Sequence, residues 1–205
     1  VYYELDNWKD NPDGPDDPTG GDEIPDKYQM KINYEVEHGY WNGEGEDGEP
    51  RFEIITLVNK EDWTQPQSAT LNPPAVGNNP ATGYTEGSWD EEPTTVETIA
   101  ENNEKTYTYT YVKDNFEYTI EYYFDGDIDD SMTEEGSAEF ESEISVNPDK
   151  TVTKGEGENA NTYVLTEVIP AEKKKNISAN PSDNVIKVYY ELDNWKDNPD
   201  GPDDP

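Results

Sequence analysis

Residues 188–205 (VYYELDNWKDNPDGPDDP) are identical to residues 1–18, so the sequence repeats itself with an offset of 187 residues. Identity over eighteen positions that include two Pro-Asp turns and a Trp does not arise from compositional bias. It marks tandem duplication in a longer parent, with roughly one unit of the array represented here. The chain opens on Val without an apolar leader or an anchor, as expected of a segment of that parent. Adjacent identical repeats are therefore the first expected partners. A unit of this length accommodates two small modules.

Charge narrows the partners further. With 14 Lys and Arg against 49 Asp and Glu the net charge is -35. A polyanion repels nucleic acid and anionic membrane surfaces, and neither is expected as a partner. High charge with low hydropathy ordinarily signals disorder, but 15 Tyr, 5 Trp and 4 Phe supply enough ring surface for small aromatic cores. No cysteine is present, which rules out disulfides and thiolate chemistry. No run of about 20 apolar residues is available to span a bilayer as a helix.

The spacing of apolar residues predicts a mainly β chain. Residues 1–5 read as the closing strand of a preceding repeat, frayed or paired with a neighbouring copy. Residues 6–26 read as an acidic Pro/Gly/Asp linker made semi-rigid by its prolines. A first module over 27–112 opens with Met30, Ile32, Tyr34 and Val36 in strand alternation. It continues through a strand near 51–58 and closes with Tyr107, Tyr109 and Tyr111 on one face and Thr106, Thr108 and Thr110 on the other. The stretch between, rich in Pro, Gly and Asn, is too broken for a long helix. A second module over 113–192 opens with Phe116, Tyr118, Ile120, Tyr122 and Phe124 on one face, turns at DGDIDD and returns near 137–146. Strands near 162–169 and 184–192 complete it, and 193–205 begin the next linker.

Two sets of motifs resemble known bacterial surface repeats. KINYEVEHGYWNG, PAVGNNPATGYTEGSWDEEPTT and KTYTYTYV resemble the internalin-type B-repeat, also known as the Listeria/Bacteroides repeat. FEYTIEYYFDGDIDDS and ISANPSDNVIKVYYEL resemble the mucin-binding-protein repeat. The resemblance implies two β-grasp-like modules arranged end to end. It further implies a tandem-repeat protein that is extracellular, at the cell surface or attached to the cell wall, and a non-catalytic role in a stalk or adhesin that spaces or presents a binding region. Two alternatives stay open: binding of host glycans or glycoproteins such as mucin, and a filament subunit that exchanges strands with its neighbours.

Candidate chemistry is sparse. Asp125, Asp127 and Asp129, with Asp130 beside them, match the first, third and fifth positions of a calcium loop. The sixth position lacks its Gly and the twelfth its Glu, so a bare hairpin turn and a calcium site both remain readings. Asp13, Asp16 and Asp17 in the linker offer a second, irregular set of calcium ligands, and calcium is the one cofactor considered; the alternative is none. Trp8 and Trp195, equivalent across the repeat, are candidates for sugar stacking or for packing on a neighbouring module, whereas Trp41 and Trp89 are expected as core anchors. His38 is the only histidine, so His-based triads and metal sites lack partners, and no enzyme activity is expected. Lys173, Lys174 and Lys175 read as a solvated turn. A Lys–Asn crosslink of the kind found in adhesins would use Lys31 or Lys187.

Overall fold

The structure is a computed structural model that describes residues 29–43, 45–57, 68–97, 103–157 and 160–193. It is mainly β, as the apolar alternation predicts. The expected linker over 6–26, the closing strand at 1–5 and all but the first residue of 193–205 lie outside the described residues. The chain divides into two compact units at Val112/Lys113.

In the first unit, β1 (Gln29–Glu37), β2 (Arg51–Thr56), β4 (Tyr84–Trp89) and β6 (Glu104–Lys113) form one sheet in the order β2-β1-β6-β4. β1 runs antiparallel to β2 and parallel to β6, with Tyr34 opposite Tyr107 and Val36 opposite Tyr109. The period of two places Tyr107, Tyr109 and Tyr111 in the interior and leaves the intervening threonines outward. A short pair, β3 (Ala69–Thr70) and β5 (Thr95–Val96), brings Leu71 and Val96 over this inner face. The core between them holds Met30, Ile32, Tyr34, Trp41, Ile55, Leu57 and Tyr107. Burying each such aliphatic side chain contributes about 1.5–3 kcal/mol.

The second unit repeats this plan. β7 (Asn115–Phe124) pairs antiparallel with β8 (Asp127–Ile128) and β9 (Glu134–Glu139), and parallel with β14 (Val185–Leu192). β12 (Asn161–Ile169) flanks β14 on its other side, followed by β11 (Thr151–Lys154). A second short pair, β10 (Glu143–Ser145) and β13 (Lys174–Asn176), carries Ile144 and brings Ile177 into the core with Ile120, Tyr122, Phe124, Ile186, Val188 and Tyr190. The two sheets, of four and six strands, therefore share a central arrangement. The first and last strands are parallel neighbours at the sheet centre, an antiparallel partner follows the first strand, and a two-stranded cap covers the core.

The Pro/Gly/Asn-rich stretch of the first unit forms no helix over 71–93; it contains the strand β4, where Gly87 lets the backbone press against β6 in a place no Cβ would fit. Two expectations need correction. The return from the DGDIDD turn is split: β9 stays in the main sheet, while β10 leaves it for the cap. Lys174 and Lys175 belong to strand β13, where Lys174 is paired with Glu143 at 2.9 Å, and only Lys173, with φ of 58°, has turn geometry.

Candidate functional site

The acidic turn is built by the hairpin between β7 and β8. Phe124 faces Asp127 across a two-residue loop, and both loop residues, Asp125 and Gly126, have positive φ (51° and 92°). Asp-Gly suits this mirror-image turn because Gly carries no Cβ penalty there and Asp tolerates the left-handed region. The carboxylates then diverge. Asp125 accepts the backbone N–H of Leu192 at 2.9 Å and so ties the turn to the end of β14. Asp129 accepts the backbone N–H of Ser131 at 2.9 Å and its hydroxyl at 2.5 Å, and forms an ion pair with Lys154. The Lys154 ammonium, together with the Ser131 hydroxyl, holds the Asp129 carboxyl down at about 2. Asp127 and Asp130 are exposed. Among the described residues no three His, Cys, Asp or Glu side chains gather around one point as metal ligands. Asp13, Asp16 and Asp17 lie outside the described residues, as do Trp8 and Trp195.

Trp41 is buried, donates its indole N–H to the carbonyl of Glu49 at 2.8 Å, and has Arg51 above its ring. Trp89 is half-buried and meets the rings of Tyr34 and Tyr109 edge-on. These rings are therefore packing groups. His38 stacks on Tyr84 with centroids 4.6 Å apart. Lys31 lies over the Phe52 ring, and Lys187 lies over Tyr123 and 3.5 Å from Glu121.

The outward face of the second unit carries a feature that reasoning from the sequence did not single out. Tyr123 on β7 and Tyr189 on β14 are register partners whose rings stack at 4.8 Å and 19°. Tyr123 donates its hydroxyl to Glu121 at 2.7 Å, and that carboxylate raises the phenol pKa. Ile128, Val164 and Ile169, all exposed, occupy the same face. The signal in the sequence was the doublet YY at 122–123 and at 189–190: one Tyr of each pair points in and the other out.

Two buried polar hubs were also unforeseen. Asn184 donates to the carbonyls of Glu117 (3.1 Å) and Ser178 (2.8 Å) and accepts from the N–H of Ser178 (2.7 Å). It thereby fixes the entry of β14. The Tyr111 hydroxyl accepts the N–H groups of Gly77 and Asn79 at 2.9 and 3.1 Å and donates to the carbonyl of Tyr40. Compared with protein-family models and with curated proteins, the sequence matches none.

Proposed function

We propose that this chain is a non-catalytic repeat unit of an extracellular bacterial surface stalk or adhesin, built from two β-grasp-like modules in which a two-stranded cap stands where a helix would pack. The observation that carries this reading is the parallel pairing of first and last strands in both units, β1 with β6 and β7 with β14. Tension between the N-terminal end of one strand and the C-terminal end of its parallel neighbour acts along the strands in opposite directions. The ladder bonds then load together in shear instead of opening one after another. Each bond adds only about 0.5–1.5 kcal/mol net, so resistance depends on their acting at once. Surface spacers bear such loads, and the acidic surface keeps neighbouring copies apart. Calcium binding by the acidic linker would stiffen such an array, and calorimetric titration tests it. Single-molecule stretching tests the reading itself: each unit should unfold in one abrupt event at high force, and gradual yielding at low force would contradict it.

A second reading, recognition of host glycans or glycoproteins, is favoured by the stacked Tyr123–Tyr189 pair, which offers an apolar surface beside Glu121 and Lys187. Titration with mucin glycopeptides tests it. Saturable binding lost in Tyr123→Ala would support it, and a flat response would remove it.

A further inference from the structure

The outer faces of the two units can be compared position by position. In both, an Ile on the first strand lies opposite a Glu on the antiparallel partner, Ile32 opposite Glu53 and Ile120 opposite Glu134. The Tyr two residues on, Tyr34 or Tyr122, donates its hydroxyl to that Glu. The residues that follow these tyrosines are therefore equivalent. In the first unit they are Glu35 and its parallel partner Thr108, and in the second Tyr123 and its partner Tyr189. The fold does not require rings at this position, since the first unit forms with a polar pair there. Tyr123 on β7 covers one face of the Tyr189 ring, and the other face is turned toward β12, where Glu167 is the register partner of Tyr189. On that side opens a depression of about 480 Å³ whose lining includes Tyr189, Thr166, Asp125, Glu191 and Leu192. Small-molecule sites occupy about 300–1,000 Å³.

We propose that this depression binds a cationic amino sugar, an oligomer of hexosamine with unacetylated amines, in preference to N-acetylated, sialylated or sulfated glycans. The inference rests on the second reading above in treating the rings as a sugar-stacking surface, and it adds the chemical class. A pyranose presents its axial C–H groups as a flat apolar face that matches the face of the Tyr189 ring, while its hydroxyls and amine project from the rim. The groups that meet this rim are carboxylates. Asp125 and Glu191 line the depression and Glu167 flanks it, whereas the ammonium of Lys187 lies 3.5 Å from Glu121 and over the Tyr123 ring, so its charge is offset locally. Carboxylates accept from hydroxyl and ammonium groups alike, and the charge-assisted bonds to ammonium are about twice as strong as neutral ones. Screening limits such effects to about 8 Å at physiological salt, so these acids select the ligand and the distant remainder of the net charge does not. An anionic sugar seated on the ring meets the same acids and is repelled. Acetylation removes the charge that they attract. A basic peptide answers to the charge but has no flat face for the ring, and its long side chains lose more rotamer freedom on binding.

Calorimetric titration of the full chain tests this, at a pH that keeps the amines protonated. The probes are a glucosamine hexamer, its fully N-acetylated counterpart, a sialylated trisaccharide and an oligolysine of the same charge as the first. The proposal expects saturable binding of the glucosamine hexamer, about tenfold or more tighter than that of the other three and weaker as salt is raised. The decisive variant combines Tyr123→Glu with Tyr189→Thr, which gives the second unit the pair found in the first and adds a negative charge. Attraction by charge alone would hold or tighten binding in this variant, whereas loss of the ring should abolish it. Unchanged or tighter binding overturns the proposal, and so does oligolysine that binds the parent as tightly as the hexamer. Should the double variant lose the thermal transition of its second unit, Glu191→Gln replaces it, with weaker hexamer binding expected and unchanged binding overturning the proposal. A preference for the acetylated or sialylated sugar overturns the proposal and leaves the glycan reading standing. No response to any sugar removes both.

Discussion

Gly87→Ala places one methyl group against a neighbouring backbone and should disrupt the first unit. Gly87 sits in β4, and a Cβ there would lie 1.8 Å from the carbonyl oxygen of Thr110, 2.7 Å from its carbonyl carbon and 2.9 Å from the Cα of Tyr111. The obstruction is the central strand β6, so no side chain can swing aside. β4 must retreat by more than an ångström, which also breaks the bond from the Gly87 N–H to the Tyr109 hydroxyl at 3.1 Å. Overpacking costs about 1–3 kcal/mol and the lost bond adds about 1, while replacing Gly in a strand returns about 0.5–1. The net loss is roughly 2–3 kcal/mol. In a domain of this size that lowers Tm by about 10–20 °C, at about 4–8 °C per kcal/mol. Scanning calorimetry with tryptophan emission as a second probe measures it, because Trp41 and Trp89 both lie in the first unit. The control is Gly136→Ala, whose Cβ has the side chain of the half-buried Tyr118 as its nearest obstruction. There the ring can move, and the second unit should shift by less than about 5 °C. A Gly87→Ala chain that melts within about 2 °C of the parent would refute the reasoning about β4 against β6.

Other substitutions test the remaining supports. Asn184→Ala strands two carbonyls and one N–H inside the second unit, and should destabilise that unit by about 2–4 kcal/mol in denaturant titrations without moving the first. Tyr111→Phe should cost the first unit about 1–3 kcal/mol by removing the hydroxyl that serves Gly77, Asn79 and Tyr40. Asp129 should titrate near 2 in a carbon-detected NMR titration and return toward the ordinary carboxylate range in Lys154→Met. Because folding lowers this pKa, the ion pair contributes stability above the unfolded value near 3.8 and loses it as pH falls through about 2. An unshifted Asp129 in the parent would contradict the Lys154 pairing.

Much of this architecture is legible in the chain because the long strands alternate cleanly. β1, β6, β7 and β14 carry aromatic and β-branched residues at every second position, and that pattern fixes which face is buried. The pairing between them is not visible locally. β1 and β6 meet in parallel across about seventy intervening residues, and nothing in either strand names the other. The short strands β3, β5, β10 and β13 span two or three residues each, too few for a period to show. Gly87 reads in the sequence as a breaker, yet it is what allows β4 to approach β6. The acidic turn shows the same limit from the other side. Asp125 and Asp129 stand at calcium-loop spacing, but one carboxylate is taken by the end of β14 and the other by Lys154, partners 67 and 25 residues away. The polar hubs at Asn184 and Tyr111 are hard to read locally, because Asn184 reaches Glu117 on β7, 67 residues away, and Tyr111 serves Tyr40, Gly77 and Asn79 from segments more than thirty residues away.

The load-bearing reading is tested most directly by pulling one unit along two axes. The chain contains no cysteine, so paired Cys handles can be introduced without competing thiols. One pair, at Asn115 and Leu192, loads β7 and β14 in shear. The other, at Thr162 and Asp193, which are joined by a backbone hydrogen bond at one end of the β12/β14 ladder, peels those strands apart bond by bond. The account predicts an unfolding force several-fold higher along the first axis than along the second, with each event releasing about 3.3–3.6 Å per residue between the handles. Equal forces on the two axes, or a weaker response in shear, would contradict the claim that these units are built to bear tension.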